Sequence, residues 1–579
     1  MRVMTSKSKN SESLYIIKCI QKNGVRTTKI VESLGTVEEL SKKLSGKSPH
    51  EWAKERAAEL TMQEKEQNRK VTIELSPSDR IDKNEIRTFN GGYLFLQKLY
   101  HDLGLHKICK GISKQYKFDY DLNSILSRLL YSRIIFPASK RATMELSNKF
   151  IEPPNFDIHH IYRGLEVIAK ETDYIQSELY KNSKLLSKRK TGILYYDCTN
   201  FFFEIEQEEG IKQYGLSKEN RPNPLVQMGL FMDGDGIPLA FTITSGNTNE
   251  QTTLQPLEEK ILTDFDLSKF VVCTDAGLSS TANRKFNDKG GRAFVTTQSI
   301  RKLKKHLKEW SIDPTGWRLP ESDAHFNKSK PFEEYDISVL DDEKYKGSTF
   351  YKERWINEDG LEQKLIITYS IKYRDYQRVI RGRQIERAEK LIKTNPTKLK
   401  KVNGNDYKRF IQKRNVTLDG EIAERELYNI NTETIAAEEI FDGFYGVCTN
   451  LDDEPAAIIK INHRRWEIEE CFRIMKSEFE ARPVYLQRDD RIKAHFTTCF
   501  ISLMLFRFLE KRLEEKFTCC QIIEGLREMN FLKIHGEGYI PTYTRSDFSD
   551  ALHDAFAFHT DSQIIPLMSM KNFLQKSKT

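Results

Sequence analysis

Cysteine is scarce and unpatterned in this chain: nine residues in 579, an odd number with no C-x-x-C pair. That excludes a disulfide framework and a zinc ribbon, and makes a reducing cytosol the expected compartment. An export signal is missing from the first ten residues, MRVMTSKSKN. The apolar run Cys499–Phe506 (CFISLMLF) is far too short to span a bilayer, so no membrane association is expected. No internal repeat or low-complexity tract is evident, which excludes a repeat architecture. A strong excess of one charge is lacking too. Lys plus Arg number 92 against 84 Asp plus Glu, a net +8, which alone does not mark a nucleic-acid binder.

What is present is a soluble globular composition, 38% hydrophobic and 11% aromatic, with 33 Phe and 24 Tyr. The length suits about three to five structural units. Positive charge is gathered rather than spread. Between Lys372 and Arg414 fifteen basic residues accompany four acidic ones, a surplus larger than that of the whole chain. Arg301, Lys302, Lys304, Lys305 and Lys308 form a second cluster in the same middle third. A phosphate backbone is gripped by such charge, although a solvated helical face reads the same way in either cluster alone.

In chain order, Leu14–Cys19 and Thr27–Ser33 are β-rich and flank Asn23-Gly24, a hairpin signal. Glu51–Asn68 is a polar helix and Arg69–Arg87 a strand and linker, so residues 1–88 read as a small N-terminal β-hairpin unit and linker. Residues 89–190 read as helical, from the spacing of Leu94, Leu99 and Leu103, of Leu122, Ile125, Leu126, Leu129 and Leu130, and of Ile161, Leu165 and Ile168. The region has the size of a DNA reader, but no spacing specifies a helix-turn-helix. Residues 191–300 change to mixed α/β order. The apolar strand GILYYD ends in Asp197, a hairpin turns around Asp233-Gly-Asp-Gly, and FVVCT runs into Asp275 before a further helix and the strand Ala293–Thr297. Residues 301–440 interrupt this pattern with strand-like stretches and the basic segment, and so read as an insertion. Residues 441–516 resume it, and 517–579 are a C-terminal helical tail.

The resumed part contains Ile461–Glu480, INHRRWEIEECFRIMKSEFE. At about 100° per residue, Arg465, Glu469 and Lys476 fall within an arc of about 40° and make one charged stripe beside an apolar face of Ile468, Cys471, Phe472, Met475 and Phe479. An ordinary amphipathic helix with an Arg465 to Glu469 ion pair gives the same pattern. Asp197 and Asp275 sharpen the reading. Each follows an apolar strand, where an ionised carboxylate is costly unless paired or bound to a cation. Two such aspartates with Glu469 suit magnesium, which takes hard oxygen ligands and in pairs activates water and stabilises the leaving oxygen in phosphodiester cleavage. An Asp after a strand is also a common turn former, a role that suits DAGLSS well.

Arg465-x3-Glu469-x6-Lys476, preceded by Asp197 in YYDCTNFFFE and Asp275 in CTDAGLSS, resembles the DDE transposases of bacterial insertion sequences, in the class with a Tyr-Arg-Glu-Lys signature. The segment KLIITYSIKYRDYQRVIRGRQIERA and the N-terminal strand pair ending in IVESLGTVEEL are similar to that class's long-insertion subgroup, so the resemblance covers nearly the whole chain. It implies an α/β fold: an RNase H-like catalytic core in two parts, interrupted by a mainly β insertion domain and preceded by the small β unit and a helical DNA-end-binding region. It also implies cut-and-paste transposition with two Mg²⁺ per active site, Mn²⁺ substituting, with Asp197, Asp275 and Glu469 as catalytic metal ligands. Its partners are double-stranded DNA, at terminal inverted repeats and target, and a second copy in a homodimeric synaptic complex in the bacterial cytoplasm. One position departs: the signature's tyrosine is Asn462 here, whose amide can still donate to a phosphate beside Arg465 and Lys476. Trp310, Trp317 and Trp355 in the insertion are candidates for stacking an unpaired base. A nuclease that cuts without joining, and a DNA-binding regulator without chemistry, are the competing functions. Paired carboxylates also serve glycoside hydrolases, but those give no reason for Arg465 and Lys476.

Overall fold

The computed structural model describes residues 1–579 apart from 9–10, 23–24, 45–47, 68–69, 74–75, 321–332, 395–405 and 417–424. The Asn23-Gly24 turn and part of the Lys372–Arg414 basic segment therefore lie outside the described residues. The chain forms two compact units: Met1–Phe89 with Phe531–Thr542 and Thr560–Leu574, and the remainder.

In the first unit the expected strand pair is joined by a third strand, Arg2–Lys7, giving an antiparallel sheet with Glu12–Lys22 in the middle. Leu14 packs with Leu40 and Ala53 of the helices Val37–Lys43 and Pro49–Gln67. The strand expected within Arg69–Arg87 is not found among the described residues there; the short strand Thr88–Asn90 follows instead. It belongs to a small sheet with Asn530–Ile534, Gly538–Pro541 and Ile565–Pro566. Residues 517–579, expected to be helical, thus supply three short strands as well as helices. Two-residue and four-residue strands bounded by Gly and Pro carry too little alternation to be seen in sequence.

The second unit is organised by one sheet of eight strands: β1 Ile193–Phe202, β2 Leu225–Asp233, β3 Pro238–Ser245, β4 Val271–Thr274, β5 Ala293–Gln298, β6 Phe350–Glu358, β7 Leu361–Tyr369 and β8 Phe444–Thr449. Their spatial order is β6-β7-β8-β5-β4-β1-β2-β3. Only the β1/β4 and β4/β5 pairs are parallel; the other ladders are antiparallel. The β2/β3 hairpin turns at Asp233, whose buried carboxylate accepts the backbone N–H of Asp235 and Ile237 and pairs with buried Arg189 at 2.5 Å. Two backbone N–H groups of the turn and the Arg189 guanidinium engage that carboxylate, a structural use of an acidic residue inside a core.

One face of the sheet is covered by helix α2, Leu254–Asp264, through Leu254, Leu257 and Ile261 against Leu194, Tyr196 and Phe231. The other is covered by the long helix α6, Asp489–Arg512, with Phe496 on Phe201 and Phe500 on Phe241. Helix α1, Leu122–Ile135, and the helix Ile158–Lys170 pack on α6 in turn. By length and composition α6 is long and apolar enough to cross a bilayer, yet 94% of its most apolar window is buried inside the protein. A helix hydrophobic on all sides is what a sheet on one side and a helical bundle on the other require.

The insertion corrects the sequence reading. Its described residues are mixed rather than mainly β: the longest element is helix α3, Ile371–Thr394, and only the two-stranded ribbon of Ile411–Val416 with Arg425–Ile430 forms a separate sheet. Strands β6 and β7 instead extend the core sheet, β7 pairing with β8 over Lys364–Tyr369. The final helical stretch differs too. Helix α4, Pro455–His463, ends before Arg464, helix α5 runs Trp466–Arg473, and a π-helical turn occupies Ile474–Glu478.

Candidate active site

The register of β1 against β4 pairs Tyr195 with Cys273, which brings Asp197, two residues further along β1, close enough to Asp275, the residue just past the end of β4, for the two charges to interact. Asp197 lies within β1 rather than at its end, because β1 continues through the antiparallel ladder to β2 as far as Phe202. Its Oδ1 accepts the Cys198 N–H at 2.7 Å. Asp275 keeps the turn role as well: its Oδ1 accepts the Leu278 N–H at 2.9 Å. Burial, with the like charge of Asp275 adding, pushes the Asp197 carboxyl up to about 6, against the pull of Lys218 and Arg465.

Glu469 sits on α5, which packs over β1. It is exposed, and among the described residues no ion pair or hydrogen bond engages its carboxylate, so the Arg465 to Glu469 pair does not form. Nor do the oxygens of Asp197, Asp275 and Glu469 all come within 4.8 Å of one another. The flanking cations do reach the site. Arg465 acts electrostatically on both Asp197 and Cys273. Lys476 acts on Asp197, lies over the Phe201 ring at 5.6 Å, and meets Glu219 at 3.4 Å. Burial, helped by the like charge of Lys218, brings the Lys476 ammonium down to about 8.

The charged stripe survives a broken helix for a geometric reason. The N–H groups of Arg464, Arg465, Glu467 and Ile468 bond three residues back, a tight turn that advances the helical phase. Phe479 N–H bonds five residues back to Ile474, a wide turn that retards it. The two departures have opposite sign, and Arg465 and Lys476 remain on the side of Asp197. Tyr195 pins the junction by donating to the Ile461 carbonyl at 3.0 Å.

The structure adds a residue that no periodicity marks. Lys218, in the loop between β1 and β2, donates to the Cys198 carbonyl and pairs with Glu250 at 3.2 Å. Burial alone would lower its pKa, but Asp197 and Glu250 outweigh it and raise it. Asn462 is 7% exposed, and its amide is engaged by Tyr445 and Thr297 rather than turned outward. Of the three tryptophans, Trp317 is fully buried and donates to the Asp313 carbonyl, Trp310 is half-buried beneath Lys352 and Arg354, and Trp355 is 43% exposed on β6. The exposed aromatics linked to the site are Tyr373 and Tyr376 at the start of α3, with rings 6.5 Å apart; Tyr373 meets Tyr445 edge-on at 6.4 Å. Part of the basic surplus is structural, since buried Arg381 makes a bidentate pair with Asp442 at 2.5 and 2.7 Å.

Residues 193–505, which hold both aspartates and α5, match the family model of the transposase DDE domain. The chain belongs to that family. The match spans more than half of the chain, and the two aspartates and Glu469 fall in order within it. No curated protein matches the chain. Among solved structures it is similar to the piggyBac transposase synaptic complex with hairpin DNA, determined by cryo-EM, at 8% identity and a TM-score of 0.36, covering 75% of this chain and 79% of that one. A likeness that slight carries no weight for fold or function. DDE transposases depend in general on divalent metal, and the donor set of this one fits: two neighbouring hard carboxylates, one of them with its pKa raised by burial and a like charge, gain from a cation.

Proposed function

We propose that this DDE transposase cuts DNA at the ends of a bacterial insertion sequence and joins the freed ends to target DNA. The observation that carries the reading is Asp197 on β1 beside Asp275 just past the parallel strand β4, framed by Lys218, Arg465 and Lys476. Strands in the order β3-β2-β1-β4-β5, antiparallel then parallel, support an RNase H-like core. Asp197 and Asp275, with Glu469 moving in from α5, would hold two Mg²⁺ ions, or Mn²⁺ in their place, which supply Lewis acidity and an activated water or 3′-hydroxyl.

The chain's own residues do the rest. Asp197 must be ionised to serve as a ligand, which its environment permits above pH about 6. Arg465 and Lys476 neutralise phosphates next to the scissile one, and Asn462 supports that row from behind. The exposed cations of Arg301, Lys302, Lys304 and Lys305 and of α3 follow the duplex away from the site. Of Trp310, Trp317 and Trp355, Trp355 is the most exposed and the one suited to stack a base. Two copies synapse the two terminal inverted repeats, with residues 89–190 reading the ends, in the bacterial cytoplasm at the nucleoid.

The test incubates the protein with Mg²⁺ and a labelled duplex taken from the DNA flanking its coding sequence, then maps nicks and joined products. Nicks with strand-transfer products support the transposase. Nicks without joining favour a nuclease, and binding without nicks favours a silent regulator.

A further inference from the structure

Behind the acidic pair, β5, β8 and the end of α4 bring Thr297, Tyr445 and Asn462 together. The β5/β8 register pairs Thr297 with Val447, which leaves Tyr445 as its diagonal neighbour on the same face. Asn462 Nδ2 donates to Tyr445 Oη at 3.0 Å, Tyr445 Oη and Thr297 Oγ1 are 2.7 Å apart, and Thr297 Oγ1 donates to Asn462 Oδ1 at 3.4 Å. Counting protons fixes the remaining direction. Thr297 has one hydroxyl proton, and it is used on Asn462, so Tyr445 is the donor in the 2.7 Å contact. Each of the three groups then donates once and accepts once, and the ring closes.

Thr297 retains a second lone pair, which accepts from Arg465 Nη1 at 3.1 Å. Arg465 Nε is buried and has no hydrogen-bond partner among the described residues, so the bond to Thr297 is the hydrogen bond that orients the guanidinium. The ring also accounts for the amide at 462. An Asn offers a donor and an acceptor from one side chain, and both are used; a phenol there has a single oxygen to serve both bonds. The phenol comes from β8 instead, and its ring is held edge-on by Tyr373 of the insertion helix α3.

We propose that Tyr445 is a positioning residue: through Thr297 it sets the Arg465 guanidinium beside Asp197. The proposal rests on the reading of Arg465 as a phosphate contact in a DNA-cleaving site.

The experiment uses the full chain and measures three things: the unfolding midpoint, salt-dependent binding to a duplex, and single-turnover nicking of the flanking-DNA duplex in Mg²⁺. Tyr445→Phe removes one oxygen and is expected to slow nicking about tenfold with the midpoint unchanged, the size of one hydrogen bond to a charged network. Thr297→Val should match it, and Thr297→Ser, which keeps the hydroxyl, should restore the parent rate. In an Arg465→Ala background Tyr445→Phe should add less than about twofold, because both changes act through one guanidinium. Exchanging the pair, Asn462→Tyr with Tyr445→Asn, should recover part of the loss seen with Tyr445→Phe.

If Arg465→Ala is impaired while Tyr445→Phe nicks like the parent, the positioning role is overturned. Full additivity of the two changes overturns it as well, since Tyr445 would then act elsewhere. Should Arg465→Ala itself nick at the parent rate, the site reading is what fails, and the positioning role falls with it. If Tyr445→Phe lowers the midpoint, Thr297→Ser against Thr297→Val decides: equal nicking rates in those two overturn the proposal.

Discussion

Two carboxylates one turn or less apart on helix α5 lead opposite lives. Glu467 is 6% exposed, pairs with Arg464 at 2.8 Å and faces Arg507 at 3.6 Å. Arg507 is itself held by the Gly236 carbonyl and by Glu510. Gly236 turns with φ +74° so close to this pair that a Cβ there would lie 2.2 Å from Glu467 Oε2. Glu469 points to the other side, is exposed, and has no partner among the described residues. The satisfied acid holds the helix to the β2/β3 turn; the unsatisfied one is free to move onto a metal. Asp233 and Asp197 divide in the same way: the first pairs with buried Arg189, and the second has no ion pair among the described residues.

The sharpest way to break that contrast is to neutralise each glutamate in turn. Glu469→Gln should reduce nicking at least about a thousandfold, the scale of losing a metal ligand's several kcal/mol, while leaving the unfolding midpoint alone and DNA binding as tight as the parent's. Glu467→Gln should do the reverse, costing about 1 to 3 kcal/mol of stability because Arg464 and Arg507 each lose a carboxylate, Arg507 keeping Glu510. If denaturant titration shows equal stability loss in both, the division between the two faces is wrong.

Asp197→Asn sharpens the comparison from the sheet side. Burial pushes the folded carboxyl up to about 6 from the 3.8 of a free aspartate, so well below pH 4 it is protonated in both states and costs nothing. Stability is lost as pH rises towards and through about 6, by up to about 3 kcal/mol. The asparagine variant should therefore be more stable than the parent at pH 7 without divalent metal, yet fail to nick. Stability curves at pH 4 and pH 7 check the sign, and a parent whose Mg²⁺ requirement does not steepen below pH 6 would count against Asp197 as a ligand.

Smaller effects follow at the cations and at the insertion. Lys476→Ala should lower the slope of log affinity against log salt by about 0.9, the value for one phosphate contact. Since its ammonium titrates at about 8, the parent should lose the same contact as pH rises above 8, which binding series at pH 7 and pH 9 would reveal. Trp355→Ala is expected to slow a step after nicking by the ~1 to 3 kcal/mol of one stacked base and to leave nicking itself intact. A Trp355→Ala protein that behaves normally would shift attention to Tyr373 and Tyr376.

Much of this arrangement was legible in the sequence because it is local. The strands that carry Asp197 and lead into Asp275, the hairpin at Asp233, and the placing of Arg465 and Lys476 on one side follow from periodicities of two and of about 3.6 residues. What stayed hidden depends on partners distant in the chain. Lys218 sits in a loop with no pattern, and Tyr445 matters only because β8 lies beside β5. The assignment of Glu467 to the core and Glu469 to the surface turns on Arg507 in another helix. The break at Arg464 was invisible for a different reason: a tight turn and a π turn preserve the apolar spacing that a single helix would show.

The position of β6 and β7 in the sheet bears on how this chain can be remodelled. β8, which follows the insertion in sequence, has the insertion's β7 on one side and β5 on the other. Residues 301–440 are therefore no cassette that evolution or an engineer can lift out at its two ends. Removing them would strip β8 of its ladder with Leu365, Ile366 and Ile367 and leave an apolar edge open to pairing with other chains, so trimmed descendants would be selected first against aggregation and only then for catalysis. Growth, by contrast, is permitted at the far side, where β6 is already the edge strand.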